Sequence, residues 1–232
     1  MNIATWPCPL PTGRTSEELV VQFDHTRSHR LLVVPALFDE ANKLRRMTVE
    51  VMRRLDLSGI DCFLPDLPGT NESLAPLAEQ TLESWRASAE AAARHFDATH
   101  VLSLRGGALV APPHMPGWQY APQTGGKILR ALLRARTIAS REAGREETID
   151  ALQQLGRSDG VELAGWEFGP ELFHQLETAE IRKSPKQAVI EQSHLGGAGL
   201  WLRAEPDEDP EQADALAAII AVALDGKSDG AE

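Results

Sequence analysis

The chain has 232 residues, 42% of them hydrophobic and 25% charged, the profile of one sizeable globular domain rather than a disordered or fibrous chain. A formal net charge of -11 excludes the basic stripe with which a nucleic-acid groove displaces phosphate counterions, and equally a polybasic membrane-surface patch. Two cysteines, Cys8 and Cys62, offer neither metal-ligand spacing nor a disulfide framework, so a reducing cytoplasm and no metal or other cofactor are expected.

Residues 1–16 have no basic region followed by a long apolar stretch, and nowhere do about eighteen apolar residues run together, so neither a signal peptide nor a membrane span is read. The apolar runs that follow are short, bounded by Gly, Pro or Asp, and separated by helix-like stretches. That alternation predicts an α/β class with a mostly parallel sheet. Residues 31–35 read as a buried strand. Residues 40–55 read as a helix whose Leu44, Met47, Val51 and Leu55 follow the i, i+3, i+4 spacing. Residues 60–65 give the next strand, 82–96 a helix and 100–104 a third strand. A Gly-Gly pair then opens the apolar segment 108–111, stopped by Pro112 and Pro113. Further on, 118–121 reads as a short strand, and 127–158 as a charged helical cap broken near Gly144. Residues 161–168 read as a strand or extended connection, 170–176 as a helix, 188–191 and 199–203 as strands, and 210–224 as the closing helix. One domain over 1–224 is expected, with a polar, disordered tail over 225–232.

Two local signatures bear on function. The first is Leu-Pro-Asp-Leu-Pro-Gly-Thr-Asn-Glu-Ser at 64–73, directly after a strand. It is similar to a strand-end loop of α/β-hydrolases, although Asp66, Pro68 and Gly69 also suffice for an ordinary tight turn. The second is Ser103-Leu104-Arg105-Gly106-Gly107, in the register of the nucleophile elbow Gly-x-Ser-x-Gly where a strand runs into a helix. Arg105 takes the serine's place. A guanidinium stays protonated and cannot attack an acyl carbon. The loop expected after the last strand, 204–210, contains no histidine, and His194 is placed before that strand, as an exposed loop residue beside Gly196 and Gly197. Ser103 is the alternative nucleophile, but on a strand it should point into the sheet.

The chain resembles the exosortase A system-associated hydrolases of the type 2 group. The resemblance rests on Pro-Ala-Leu-Phe-Asp-Glu-Ala-Asn-Lys-Leu-Arg-Arg-Met at 35–47, the Leu-Pro-Asp-Leu-Pro-Gly turn, Leu-Arg-Gly-Gly-Ala-Leu at 104–109, the stretch 125–136, and Val-Glu-Leu-Ala-Gly-Trp-Glu-Phe at 161–168. It implies an α/β-hydrolase-like three-layer fold with a small helical cap, and a cytoplasmic accessory role beside exopolysaccharide-system proteins. Asn71 stands where a glycine is common in hydrolases, and Ala36 replaces a second proline.

An elbow would hold Arg105 over the carboxyl ends of the strands, where open α/β sheets bind ligands. The amides of Gly106 and Gly107 at a helix start would complete an anion cradle. The competing reading is an internal salt bridge from Arg105 to Glu40 or Asp39. Glu40 and Asn42 are candidates to position a hydroxylated ligand, Arg45 and Arg46 to form a solvated helix face, and Trp166 to stack on a sugar ring or to belong to the core. Three functions remain open at this level. They are a triad-less binder of an anionic or carbohydrate-linked small molecule, an unconventional hydrolase or acyltransferase, and a protein-binding scaffold.

Overall fold

The computed structural model describes residues 1–228. A seven-stranded sheet has the order β1-β2-β4-β3-β5-β6-β9, with β1 Asn2–Pro9, β2 Thr15–Phe23, β3 Arg30–Val34, β4 Asp61–Pro65, β5 His100–Leu104, β6 Gly117–Tyr120 and β9 Gln187–Ile190. From β4 onward the neighbours are parallel, while β1, β2 and β4 pair antiparallel. The parallel core is the one that the buried runs at 31–35, 60–65 and 100–104 predict.

Both faces of the sheet are covered, which is why these strands read as continuous apolar runs. Within β3, Leu31 and Val33 face one core and Leu32 and Val34 the other. The first core is closed by α1 (Asp39–Leu57) and α7 (Pro210–Ser228), through Leu44, Met47, Val51 and Leu55 of α1 and Leu216 and Ile220 of α7. The second is closed by α2 (Leu82–His95) and by helices inserted between β6 and β9. That insertion holds α3 (Gly125–Glu142), α4 (Ile149–Ser158), a hairpin of β7 (Val161–Leu163) and β8 (Trp166–Phe168), and α5 (Pro170–Thr178). It contains the predicted cap at 127–158, with α3 and α4 parted around Gly144.

Several boundaries differ from expectation. The amino terminus forms the β1–β2 hairpin, unread in the sequence. Its outer strand tolerates Pro7 and Pro9 because it is an edge. The segment after β5 is a five-residue 3-10 turn, Arg105–Leu109, and not the start of an α-helix. Residues 199–203 are not a strand: Leu200–Leu202 form a 3-10 turn, so the sheet ends at β9. His194 therefore follows the last strand instead of preceding it, within the short helix α6 (Gln192–Leu195). Helix α7 continues through Ser228, so residues 225–228 are helical rather than a disordered tail. Residues 229–232 lie outside the described residues.

Candidate functional site

At the carboxyl end of β5 the chain turns sharply, and Arg105 sits at the tip with φ 50°, a left-handed conformation uncommon for a residue other than glycine. The turn is this tight because Gly107 passes against the end of β3. A Cβ there would lie 2.4 Å from the Pro35 carbonyl oxygen. Strand, strained residue and close-packed glycine are the elements of an elbow, and they hold a guanidinium where a nucleophile would stand.

That guanidinium is buried and almost fully engaged. Nε and Nη2 donate in parallel to the two carboxylate oxygens of Glu40 at 3.0 Å each. Nη1 donates to the Ala121 carbonyl at 2.8 Å, and Nη2 also to Oε1 of Gln123 at 2.8 Å. The Trp201 ring lies over its Cζ at 3.8 Å, a cation–π contact. The internal salt bridge anticipated for Arg105 thus forms with Glu40, while Asp39 pairs with Lys43 at 2.9 Å. The fork is closed by a protein carboxylate, and the open anion cradle expected from the sequence is not formed.

Beside the pair lies a cavity of about 410 Å³. Its polar lining comprises Arg105, Glu40, Gln123, Asp39 and Lys43, two cations balanced by two carboxylates. The remainder is apolar, from Leu37 and Phe38 after β3, Ile128 and Leu132 on cap helix α3, and Trp201 and Leu202. Ligand sites commonly combine a mainly apolar concavity with a few fixed polar groups, and they sit at this edge of α/β sheets.

The other sequence candidates do not converge on this cavity. Gly106 and Gly107 are buried packing positions, and a Cβ on Gly106 would meet Ile128 at 2.6 Å. Asn42 and Trp166 line a separate recess, together with Asn71. Ser103 is fully buried in β5, with Oγ 3.5 Å from the Trp118 carbonyl, as a strand residue should be. His194 is exposed, and its Nδ1 accepts from the Glu191 amide at 3.1 Å. Burial pushes the Cys8 thiol up to about 12 and raises Cys62 further, so neither supplies a thiolate near neutral pH. Arg45 reaches the buried Asp66 at 2.8 Å, where Asn71 Nδ2 also donates at 2.7 Å, so Arg45 anchors the 64–73 loop instead of forming only a solvated face. Arg46 is well exposed and pairs with Glu208.

Gln123 and Trp201 were missed. The strand assignment of 199–203 hid Trp201, although Gly196, Gly197 and Gly199 before it are loop signals. Gly199 is needed to seat the indole, since a Cβ there would lie 2.4 Å from the Trp201 ring.

No protein-family model matches the sequence, and no curated protein does. Solved structures do match in shape. The esterase domain of a Rhodothermus marinus protein aligns over 97% of this chain and 98% of its own, with TM-score 0.57 and 12% identity. A thermophilic esterase from Thermogutta terrifontis aligns over 97% and 99%, with TM-score 0.55 and 14% identity. The chain has the α/β-hydrolase fold. Alpha/beta hydrolase domain-containing protein 10 from mouse is a further example, at TM-score 0.53 and 14% identity over 97% of this chain and 99% of that one. At these identities the likeness is one of fold. Among the described residues no helix is long and apolar enough to cross a membrane.

Proposed function

We propose that this protein uses the α/β-hydrolase scaffold to bind an amphipathic, carbohydrate-linked small molecule without cleaving it. The observation that carries this reading is the Arg105–Glu40 pair at the elbow. The position from which a hydrolase attacks holds a permanently charged group, bidentately locked to a carboxylate and facing a mainly apolar cavity. Because the cavity's charges balance, it suits a neutral or zwitterionic polar end attached to an apolar body better than a free anion. The resemblance of the segments at 35–47, 64–69, 104–109, 125–136 and 161–168 to exosortase-associated hydrolases supports a cytoplasmic accessory role in exopolysaccharide production.

The reading has a direct chemical test. Fluorophosphonate probes should label no serine, and short acyl nitrophenyl esters should be hydrolysed no faster than by heat-denatured protein. Arg105→Ser should not create an esterase, because His194 has its Nδ1 engaged by the Glu191 amide and is not among the residues that line the cavity. Stoichiometric labelling of the wild type, or an acyl-enzyme burst from the variant, would overturn it.

A further inference from the structure

Next to the Arg105 cavity, across the crest of the β7–β8 hairpin, lies a more open recess of about 370 Å³. The hairpin turn is the two-residue pair Ala164–Gly165, with φ 51° and 84°. Ala164 lines the cavity and Gly165 lines the recess. Their Cα atoms are necessarily only about 3.8 Å apart, so one turn of backbone separates the two spaces at this point.

The lining of the recess includes the half-buried Trp166, which packs against the aromatic core. Phe38 meets its ring edge-on at 5.7 Å, and Phe38 itself packs against Phe168 at 4.8 Å and Trp85 at 5.8 Å. The indole is therefore ordered before any ligand arrives, which lowers the entropy cost of stacking on it. Around it stand Asn42, Asn71 and Glu167. Asn71 is held by its donation to Asp66, a buried carboxylate also gripped by Arg45, which commits one Nδ2 proton and leaves Oδ1 as an acceptor for a ligand. Glu167 adds a carboxylate, and among the described residues no cationic side chain lines the recess, Arg45 beside it being neutralised by Asp66. An ordered aromatic face, an excess of hydrogen-bond acceptors and no positive charge match a ring that has one C–H-rich face and several hydroxyl donors. The Glu167 carboxylate disfavours phosphate and carboxylate there.

We propose that the recess is a subsite for a neutral pyranose, stacked on Trp166, whose apolar aglycone reaches over the Ala164–Gly165 turn into the Arg105 cavity. This rests on the reading of that cavity as a ligand site, and the two are separable by experiment. Calorimetric titrations would compare 1-octanol, methyl glycosides, and octyl glycosides of glucose, mannose, galactose and N-acetylglucosamine, all below the micelle threshold. At least one octyl glycoside should bind tenfold or more tightly than octanol. Trp166→Ala should reduce it to the level of octanol while leaving octanol's own affinity unchanged. The paired surface changes Asn42→Ala and Glu167→Gln, which leave the aromatic packing intact, should weaken the same glycoside at least threefold. If octanol binds but no octyl glycoside gains over it, or if the gain survives Trp166→Ala, the saccharide subsite is wrong and the cavity reading stands. If methyl glycosides bind in a Trp166-dependent way while octanol does not bind at all, the subsite stands and the cavity reading fails.

Discussion

The two edges of the parallel sheet each carry an arginine–carboxylate pair with one partner buried, and they are built for different ends. At the amino edge, Asp61 is fully buried and saturated. Its oxygens accept from the amides of His25 at 3.0 Å and Arg27 at 2.9 Å, and from Arg30 Nη1 at 3.0 Å. Arg30 is fixed in turn by the Phe96 carbonyl at 2.8 Å and lies over the Phe63 ring. At the carboxyl edge, Arg105 holds Glu40 equally well, but Glu40 keeps 20% of its side-chain surface exposed and a cavity opens beside both. A charge pair surrounded by backbone donors can only brace the fold. A pair with open space on one side can reorganise around a guest.

The largest test of this contrast is Asp61→Ala, which strips the His25 and Arg27 amides of their acceptor and takes from Arg30 its fully buried carboxylate partner, leaving it only the exposed Asp24. It should lower stability by about 3–5 kcal/mol, read from urea unfolding. Arg105→Ala should cost less, about 1.5–3 kcal/mol, because Glu40 can be solvated from the cavity. Arg105→Lys should restore part of that, as it keeps the charge and loses the fork. If Arg105→Ala were as damaging as Asp61→Ala, the carboxyl-edge pair would be as purely structural as the other, and the contrast would collapse.

Acid provides a smaller probe of the amino edge. The Arg30 guanidinium beside Asp24 holds that carboxyl below its ordinary range, aided by the Thr26 amide. A carboxyl whose folded pKa is depressed adds stability above its unfolded value, near 4, and loses it as the pH falls through the folded one. The urea midpoint should therefore drop between pH 5 and pH 2.5, and Asp24→Asn should flatten part of that drop by lowering the midpoint at pH 5. An identical pH slope in the variant would mean that the Arg30–Asp24 contact, on an exposed carboxylate, is screened to nothing.

Most of the frame was readable because buried parallel strands and amphipathic helices write their burial into local pattern. The third strand at 100–104 was recovered to the residue, and α1 to within a turn. The elbow was legible too, since Leu-Arg-Gly-Gly at a strand end permits little else. What failed was whatever depends on partners distant in sequence. The sign of the site was one such case: the sequence leaves an anion cradle and an internal salt bridge both open, and only the 65-residue-distant Glu40, once in contact, decides for the bridge. The grouping of Asn42 and Trp166 with Arg105 was another, because Phe38 stands beside Trp166 in one space and lines the other. The amino-terminal hairpin escaped because its alternation, carried on one face by Trp6, Cys8 and Val20, is interrupted in β1 by prolines that only an edge strand accepts.

The smallest expected effects come from one strained residue at each edge. Thr26, at φ 57°, and Ala164, at φ 51°, both occupy the left-handed region, where a side chain costs roughly 1–2 kcal/mol and Asn or Gly is better tolerated. Thr26 is exposed in the turn that leads into Arg30, so Thr26→Asn should stabilise by about 1 kcal/mol or less and change nothing else. Ala164 opens a two-residue hairpin turn whose paired left-handed conformations favour Asn-Gly, so Ala164→Asn should stabilise by a similar amount. Yet Ala164 also faces the cavity, and a larger side chain there narrows the space that an aglycone would fill. The two substitutions should therefore raise the melting temperature alike and part company in binding. Thr26→Asn should leave the octyl glycoside titration untouched, while Ala164→Asn weakens it several-fold. If Ala164→Asn gains stability without losing affinity, the turn does not border the bound ligand, and the route from recess to cavity must run elsewhere.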